Sequence, residues 1–65
     1  MSTIEDIATA QIAAAVRERR RDAGLSLRAL AAVSGVSSSM ISDIERGAKS
    51  PTISTLAAIA DALDV

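Results

Sequence analysis

The chain has 65 residues, which is enough for one domain and is near the size at which a single hydrophobic core becomes marginal. Hydrophobic residues make up 49% of it and none is aromatic, which excludes an intrinsically disordered chain and requires a core of Ile, Leu, Val, Met and Ala. The net charge is −1, but all seven basic residues lie within residues 17–50 with only four acidic ones, and this local net charge of +3 favours contact with a polyanion there.

The first predicted helix begins between residues 4 and 8 and ends at Ala23. Its start is left open because two overlapping patterns, Ser2–Glu5 and Thr3–Asp6, both resemble capping boxes. A run of basic residues followed by Gly24, which readily adopts the left-handed conformation, is typical of a helix C-terminus. The face predicted to be buried consists of Ile4, Ala8, Ile12, Ala15 and Val16.

The second predicted helix runs from Leu27 to about Val33. Ser26 is a typical N-cap residue, and Gly35 ends the helix after two turns. The side chains expected to face the core follow the i, i+3, i+4 spacing and are Leu27, Leu30 and Ala31.

The third predicted helix spans residues 38 to about 46, with Ser37 as its N-cap and Gly47 after its end. Its inward-facing residues are Met40, Ile41 and Ile44. Its outward-facing residues are polar, and they are Ser38, Ser39, Ser42 and Asp43.

The fourth predicted helix runs from Ile53 to about Leu63, after a loop that contains Pro51 and with Thr52 as its N-cap. Its predicted buried stripe consists of Ile53, Leu56, Ile59, Ala60 and Leu63. Short joints between helices of this kind predict an all-α chain, a compact bundle of four short helices.

Residues 27–47 are predicted to form two short helices joined by a tight turn. Ala31 lies where the helices cross, so a larger side chain would push them apart. Gly35 lies in the turn, where a positive φ is easily reached only without a β-carbon. The second helix of such a unit is exposed enough to enter a DNA groove ~12 Å wide.

A characteristic combination of residues extends over most of the chain, and its members, in order, are Gly24-Leu25-Ser26-Leu27, Leu30-Ala31, Gly35-Val36-Ser37, Ile41-Ser42, Ile44-Glu45-Arg46-Gly47, Pro51, Leu56 and Ile59-Ala60. This combination resembles the phage-repressor-type helix-turn-helix family, the Cro-like or xenobiotic-response-element-type group of regulators. The resemblance covers residues 12–65 and leaves residues 1–11 as an N-terminal extension of uncertain structure. It implies a lambda-repressor-like DNA-binding head that works as a homodimer on a palindromic operator. The family's fifth helix is absent from this chain, so we expect a further C-terminal segment in the full-length protein.

The resemblance also implies roles for individual residues. Its base-contacting positions fall on Ser37, Ser38, Ser39, Ser42 and Asp43. Its phosphate-contacting positions fall on Arg17, Arg28, Arg46 and Lys49. Arg20 and Glu45 fall on the positions of a structural ion pair, which we prefer to a direct role in DNA binding for either residue.

Two of these residues have alternative roles. Ser37 fits an N-cap better than a base contact, and Asp43 either accepts a hydrogen bond from cytosine N4 or repels phosphate. The helix offers no Gln, Asn, Arg or Lys before Arg46 for bidentate base pairing, so we expect modest direct readout supported by water and DNA shape. Arg19 stands where the family usually has leucine, and it either covers the core with its stem or joins a basic patch.

Three other functions fit less well. An enzyme is not expected, because the chain has no His, Cys or Tyr and little room for a pocket, and no metal or other cofactor is predicted. A protein-interaction module, such as an antitoxin-like domain, remains an alternative, although it would not need the basic central segment. RNA is not an expected partner, because no aromatic side chain is present for bases to stack on.

The same features bear on location. A secreted domain of this size would usually need disulfides, so we expect an intracellular setting. The family resemblance implies a bacterial or phage protein of the cytoplasm that acts as a repressor or other regulator at the nucleoid. No apolar run approaches the ~20 residues of a membrane span, and the N-terminus lacks the basic start and apolar stretch of a signal peptide. A membrane is therefore not an expected partner.

Overall fold

The computed structural model describes residues 3–64, and within this range the chain forms helices α1 (Ile4–Asp22), α2 (Leu27–Ser34), α3 (Ser38–Glu45) and α4 (Ile53–Ala62). The predicted all-α fold is confirmed. α2 ends one residue beyond its predicted end, and the other helices each end one residue before theirs. No helix within the described range combines the length and the apolar character that a membrane crossing requires.

The start of α1 is fixed by a capping box. Thr3 Oγ1 accepts a hydrogen bond from the Asp6 amide at 3.1 Å, and Asp6 Oδ2 accepts one from the Thr3 amide at 3.3 Å. These bonds satisfy two of the amides that a helix N-terminus leaves unpaired. The alternative pattern begins at Ser2, which lies outside the described residues. α1 therefore passes through the predicted boundary between residues 11 and 12 as one continuous helix.

The end of α1 is a Schellman motif. The amide of Gly24 donates to the Arg21 carbonyl at 2.9 Å, and the amide of Leu25 donates to the Arg20 carbonyl at 3.1 Å. Gly24 has a φ of +72°, the left-handed conformation that this motif requires and that glycine adopts without steric cost. The motif turns the chain so that Leu25 packs against the core.

The hydrophobic core lies where α2, α3 and α4 meet the C-terminal half of α1. Its buried residues are Val16, Leu30, Ile41, Ile44 and Ile59. Partly buried aliphatic side chains surround them, among them Ile12, Met40, Leu56 and Leu63. As the composition requires, the whole cluster is aliphatic. α3 packs against both α1 and α2, and α2 also packs against α4, so the core fixes α3 on two sides.

Part of the predicted buried face of α1 is wrong. Ile4 is 87% exposed, Ala8 and Ala15 are also exposed, and Ala13 is buried instead. A helix of 19 residues is about 28 Å long, whereas α3 with its eight residues is only about 12 Å long, so the first turns of α1 extend beyond the core. The predicted stripe of α4 also begins too early, because Ile53 is 89% exposed. Ile53 is the first residue of α4, and no other element covers it.

Candidate nucleic-acid interface

α2 and α3 form a bihelical unit joined by a short turn at Gly35. Gly35 has a φ of +75°, and its amide donates to the Ala31 carbonyl at 3.0 Å. A β-carbon built on Gly35 would contact nothing within 4 Å, so the turn needs glycine for its backbone conformation and not for space. Val36 then enters the edge of the core, and Ser37 caps α3. The direction of α3 is thus fixed by a conformation that other residues adopt only with strain.

One open depression lies between the N-terminal turn of α2 and the outer side of α3. We call it the α2–α3 face, and the residues that line it are Leu27, Arg28, Ser38, Ser39, Ser42, Asp43 and Arg46. The structure therefore brings together three of the serines that the sequence predicts as base contacts and two of the arginines that it predicts as phosphate contacts. The hydroxyl groups can donate and accept hydrogen bonds, and the guanidinium groups donate them and carry positive charge. One open surface can therefore contact both an anionic backbone and neutral polar groups.

Ser37 lies beside this face in a second open depression, which also contains Arg28, Gly35 and Ser38. Its Oγ accepts a hydrogen bond from the Met40 amide at 3.1 Å, so the hydroxyl oxygen serves as the N-cap of α3. The hydroxyl proton remains able to donate to an acceptor. Ser37 is therefore a cap first, and any base contact would use its hydrogen.

Arg20 and Glu45 join α1 to the end of α3. Arg20 Nε donates to Glu45 Oε2 at 2.6 Å and Arg20 Nη2 donates to Glu45 Oε1 at 2.9 Å, which is the bidentate arrangement of a guanidinium and a carboxylate. Arg20 Nη1 also donates to the Leu25 carbonyl at 2.9 Å. The hydrogen bonds and the charge of Glu45 raise the pKa of Arg20 although burial opposes this. Arg20 therefore stays charged, and it ties α1, the following loop and α3 together.

Arg17 lies one turn before Arg20 in α1 and contacts the same end of α3. Its Nη2 donates to the main-chain carbonyl oxygen of Glu45 at 2.8 Å. The last carbonyls of a helix have no partner within the helix, and a cation there also interacts favourably with the helix dipole. Arg17 thus adjoins the end of α3 and does not line the α2–α3 face itself, whereas the sequence predicts it as a phosphate contact.

Asp43 and the two remaining cations form a cluster at the C-terminal end of α3. Asp43 Oδ1 accepts a hydrogen bond from Arg46 Nη2, and Asp43 Oδ2 lies 3.5 Å from Lys49 Nζ. Lys49 does not line the α2–α3 face itself but adjoins it through Asp43. All three side chains therefore meet at one edge of this face.

Sequence reasoning missed the hydrogen bond of Arg17 and the ion pairs of Asp43. Both left a signal in the sequence. Arg17 and Arg20 are three residues apart and so share one side of α1, which predicts that they reach the same neighbour. Asp43 and Arg46 are also three residues apart, a spacing at which opposite charges pair along a helix. The contact between Thr9 Oγ1 and Ser50 Oγ, at 3.4 Å, had no such signal, because it joins distant parts of the chain.

The acidic side chains of residues 3–64 form no cluster that could hold a metal ion. The α2–α3 face carries hydroxyl groups, two guanidinium groups and a carboxylate, which form hydrogen bonds and ion pairs. Its groups suit recognition of an extended anionic surface.

Comparison with known proteins shows the family to which the chain belongs. A family model described as helix-turn-helix matches residues 16–65, which is most of the chain and includes α2, the Gly35 turn and α3. The chain belongs to the helix-turn-helix family. Within it, the match is to the phage-repressor-type group, as the spacing of residues predicts. No individual curated protein matches the chain significantly, and no solved structure does either.

This helix-turn-helix family consists of DNA-binding domains of transcription regulators and not of enzymes. The matched segment starts at Val16 inside α1 and so leaves out the exposed first turns of that helix. It contains the Arg20–Glu45 pair, the serines of α3 and the Asp43 cluster. The function of this family is DNA binding, and all residues of the α2–α3 face lie within the matched segment.

Proposed function

We propose that the chain is the head of a bacterial or phage transcriptional regulator that binds double-stranded DNA sequence-specifically, with α3 in the major groove. α2 then lies across the backbone, as in helix-turn-helix docking generally. The observation that carries the proposal is the composition of the α2–α3 face, which brings Ser38, Ser39 and Ser42 together with Arg28 and Arg46. The same surface thus carries polar groups for base edges and cations for phosphates.

The serines are the groups proposed to contact bases. A serine hydroxyl both donates and accepts, so it accommodates several base edges and discriminates less than a bidentate side chain, which is worth ~1–3 kcal/mol per pair. We therefore propose that sequence preference comes from several weak contacts, from bridging water and from the shape of the DNA. Ser37 joins these groups through its hydroxyl proton, since its oxygen caps α3.

The cations are the groups proposed to contact phosphates. Arg28 is exposed at the start of α2 and lines the α2–α3 face together with Arg46. Lys49 lies in the loop after α3 and is 57% exposed. Phosphate contact by these residues positions the domain but carries no sequence information. Arg17 remains a phosphate candidate, because it is exposed and its bond to the Glu45 carbonyl uses only one of the five N–H donors of a guanidinium.

We further propose that the regulator binds as a homodimer to a palindromic operator, with half-sites ~34 Å apart. A domain with a few weak base contacts gains affinity and preference when two copies act on one duplex. The dimer is tested together with DNA binding.

The experiment is a selection from random duplex DNA with sequencing of the bound fraction, at about 50 and about 200 mM salt. The expected result is enrichment of a palindrome together with a steep loss of binding at the higher salt. The matched sample is the chain fused to a dimerising coiled coil. Enrichment only in the fusion would support DNA reading that depends on dimer formation, and no salt-dependent binding in either sample would refute the proposal.

A second candidate function, binding of a partner protein, has one observation in its favour. An open depression between α1 and α4 is lined mostly by apolar side chains, including Ala15, Leu56 and Leu63. Apolar surfaces of this kind occur at protein interfaces. This function would be preferred if both samples in the selection failed to bind DNA while remaining folded.

A further inference from the structure

The carboxylate of Asp43 is engaged on both of its oxygens. Oδ1 accepts from Arg46 Nη2 and Oδ2 faces Lys49 Nζ at 3.5 Å. The main chain of the same residue fixes the loop, because its carbonyl oxygen accepts from the amides of Ala48 at 2.9 Å and Lys49 at 3.3 Å. The backbone therefore places Lys49 beside the carboxylate, and the ion pair is built into the end of α3.

The cluster has an uneven exposure. The side chain of Asp43 is 23% exposed, whereas those of Arg46 and Lys49 are 64% and 57% exposed. The acid thus lies behind the two cations, which remain open to solvent. A phosphate that approaches the edge of the α2–α3 face meets the cations first, but their charge is partly neutralised by the carboxylate.

Cytosine reading is the competing role for Asp43. A carboxylate that accepts from the amino group of cytosine needs an oxygen lone pair directed into the groove. Here both oxygens face cations of the same chain. The geometry therefore favours an action of Asp43 on Arg46 and Lys49 over an action on a base.

We infer that Asp43 is an intramolecular competitor of DNA phosphate for Arg46 and Lys49, and that it limits the affinity of the domain for any duplex. The inference rests on the proposed DNA-binding function. DNA binding is driven in large part by the release of counterions from phosphates that protein cations neutralise. With Asp43 in place the cluster has a net charge of +1, and without its charge the cluster would have +2. Each phosphate bound there therefore gains less than it would from unpaired cations.

The inference predicts a uniform gain of affinity when the carboxylate charge is removed. In Asp43→Asn, affinity for both the selected operator and random duplex should rise on the order of fivefold at low salt, and the log–log salt slope should steepen by about one. The preference among sequences should not change, because the cations contact the backbone only. Asn keeps the shape and an acceptor oxygen, and Asp43→Ser provides a second variant with thermal melting to show that both are folded.

The experiment measures duplex binding by fluorescence anisotropy over a salt series. The matched control is Asp61→Asn, which removes the same charge from an exposed position on α4 that forms no ion pair within residues 3–64. The control should raise affinity less than twofold. A selective loss on one base position would instead identify Asp43 as a base reader, and a uniform loss would mean that it orders the cations for binding; either result would overturn the inference.

A double substitution tests whether Asp43 acts through its ion pairs. In the background Arg46→Ala with Lys49→Ala, Asp43→Asn should change affinity by less than twofold, since no paired cation remains to be released. An undiminished gain in that background would overturn the inference, because it would show simple repulsion of phosphate. A wild-type chain without salt-dependent DNA binding would refute the proposed function and the inference with it, whereas binding by the wild type that Asp43→Asn leaves unchanged would refute the inference alone.

Discussion

Asp43 and Glu45 are the two carboxylates of α3, and each pairs with an arginine, but their surroundings differ. The side chain of Glu45 is 7% exposed and that of its partner Arg20 is 13% exposed. The side chain of Asp43 is 23% exposed and that of its partner Arg46 is 64% exposed. Two residues apart on a helix, the carboxylates point to different sides, one towards α1 and the other towards solvent.

The difference in burial gives the two pairs different roles. Water is largely excluded from the Arg20–Glu45 pair, and removing either partner would leave an uncompensated charge inside the protein. The Asp43–Arg46 pair remains in contact with water, which replaces the lost partner at little cost. The first pair therefore holds α3 in place, while the second can exchange partners. One helix thus combines a structural pair on its inner side with an exchangeable pair on the side proposed to meet DNA.

The largest expected effect is that of Glu45→Gln on stability. Glutamine keeps the shape of the side chain but leaves the Arg20 cation without its counter-charge, at a cost of about 3–5 kcal/mol. Small domains have total stabilities of roughly 0.05–0.15 kcal/mol per residue, so this loss would take most of the stability of the domain. Urea denaturation followed by circular dichroism measures it.

Asp43→Asn is the control for that measurement, because it removes the same kind of charge from the exposed pair. It should lower the free energy of unfolding by less than about 1 kcal/mol. Similar losses in the two variants would mean that burial does not separate the two pairs, and the comparison would fail.

Arg17→Ala is expected to have an intermediate effect, because Arg17 is hydrogen-bonded to the end of α3 but is exposed to solvent. Loss of the hydrogen bond to the Glu45 carbonyl should lower the free energy of unfolding by about 1 kcal/mol in the absence of DNA. Arg21→Ala is the matched control, since Arg21 has the same charge on the same helix, is exposed and should be neutral. An unchanged stability with a flatter salt slope would instead place Arg17 among the phosphate contacts.

Arg28→Ala should change DNA binding without changing the stability of the domain. The stability of the free domain should not change, while the salt slope of DNA binding should flatten by about one and affinity should fall equally on all sequences. Arg19→Ala, which removes the same charge beside the α1–α4 depression, is the control and should leave the slope unchanged. An unaltered slope in Arg28→Ala would remove Arg28 from the phosphate contacts.

Much of the fold follows from local sequence signals. Ser26, Ser37 and Thr52 are the N-caps of their helices, and Gly35 forms the turn, because capping and positive φ depend on residues close in sequence. The burial of Ile4 and Ala8 was predicted wrongly for the opposite reason, and Ala15 was assigned to the buried side although that side is turned towards Ala13. Helical spacing shows which residues share a side but not where along that side a neighbouring helix packs. The position of α3 against α1 is a property of the packed structure.

In the candidate site, too, some features follow from residues close in sequence and others depend on packing. The outward direction of Ser38, Ser39 and Ser42 is a matter of spacing within α3, and the structure brings them to one face with Arg28. The engagement of Arg17 by the Glu45 carbonyl depends on the packing of α1 against α3. A basic residue in a sequence shows its charge but not its partner, so residues predicted alike as phosphate contacts, such as Arg17 and Arg28, lie in different environments.

The smallest expected effect is that of substitutions at the serines of α3. Replacing Ser38 or Ser42 singly by alanine removes one neutral hydrogen-bonding group, worth about 0.5–1.5 kcal/mol, so affinity for the selected operator should fall about two- to tenfold in each variant. If the hydroxyls contact bases, the loss should be smaller on duplexes that differ at the contacted positions, and the salt slope should stay unchanged because no charge is removed. Ser54→Ala, at an exposed position of α4, is the control and should alter neither quantity. An equal loss on every duplex would assign these serines to the phosphate backbone, and the α2–α3 face would then distinguish sequences through DNA shape alone.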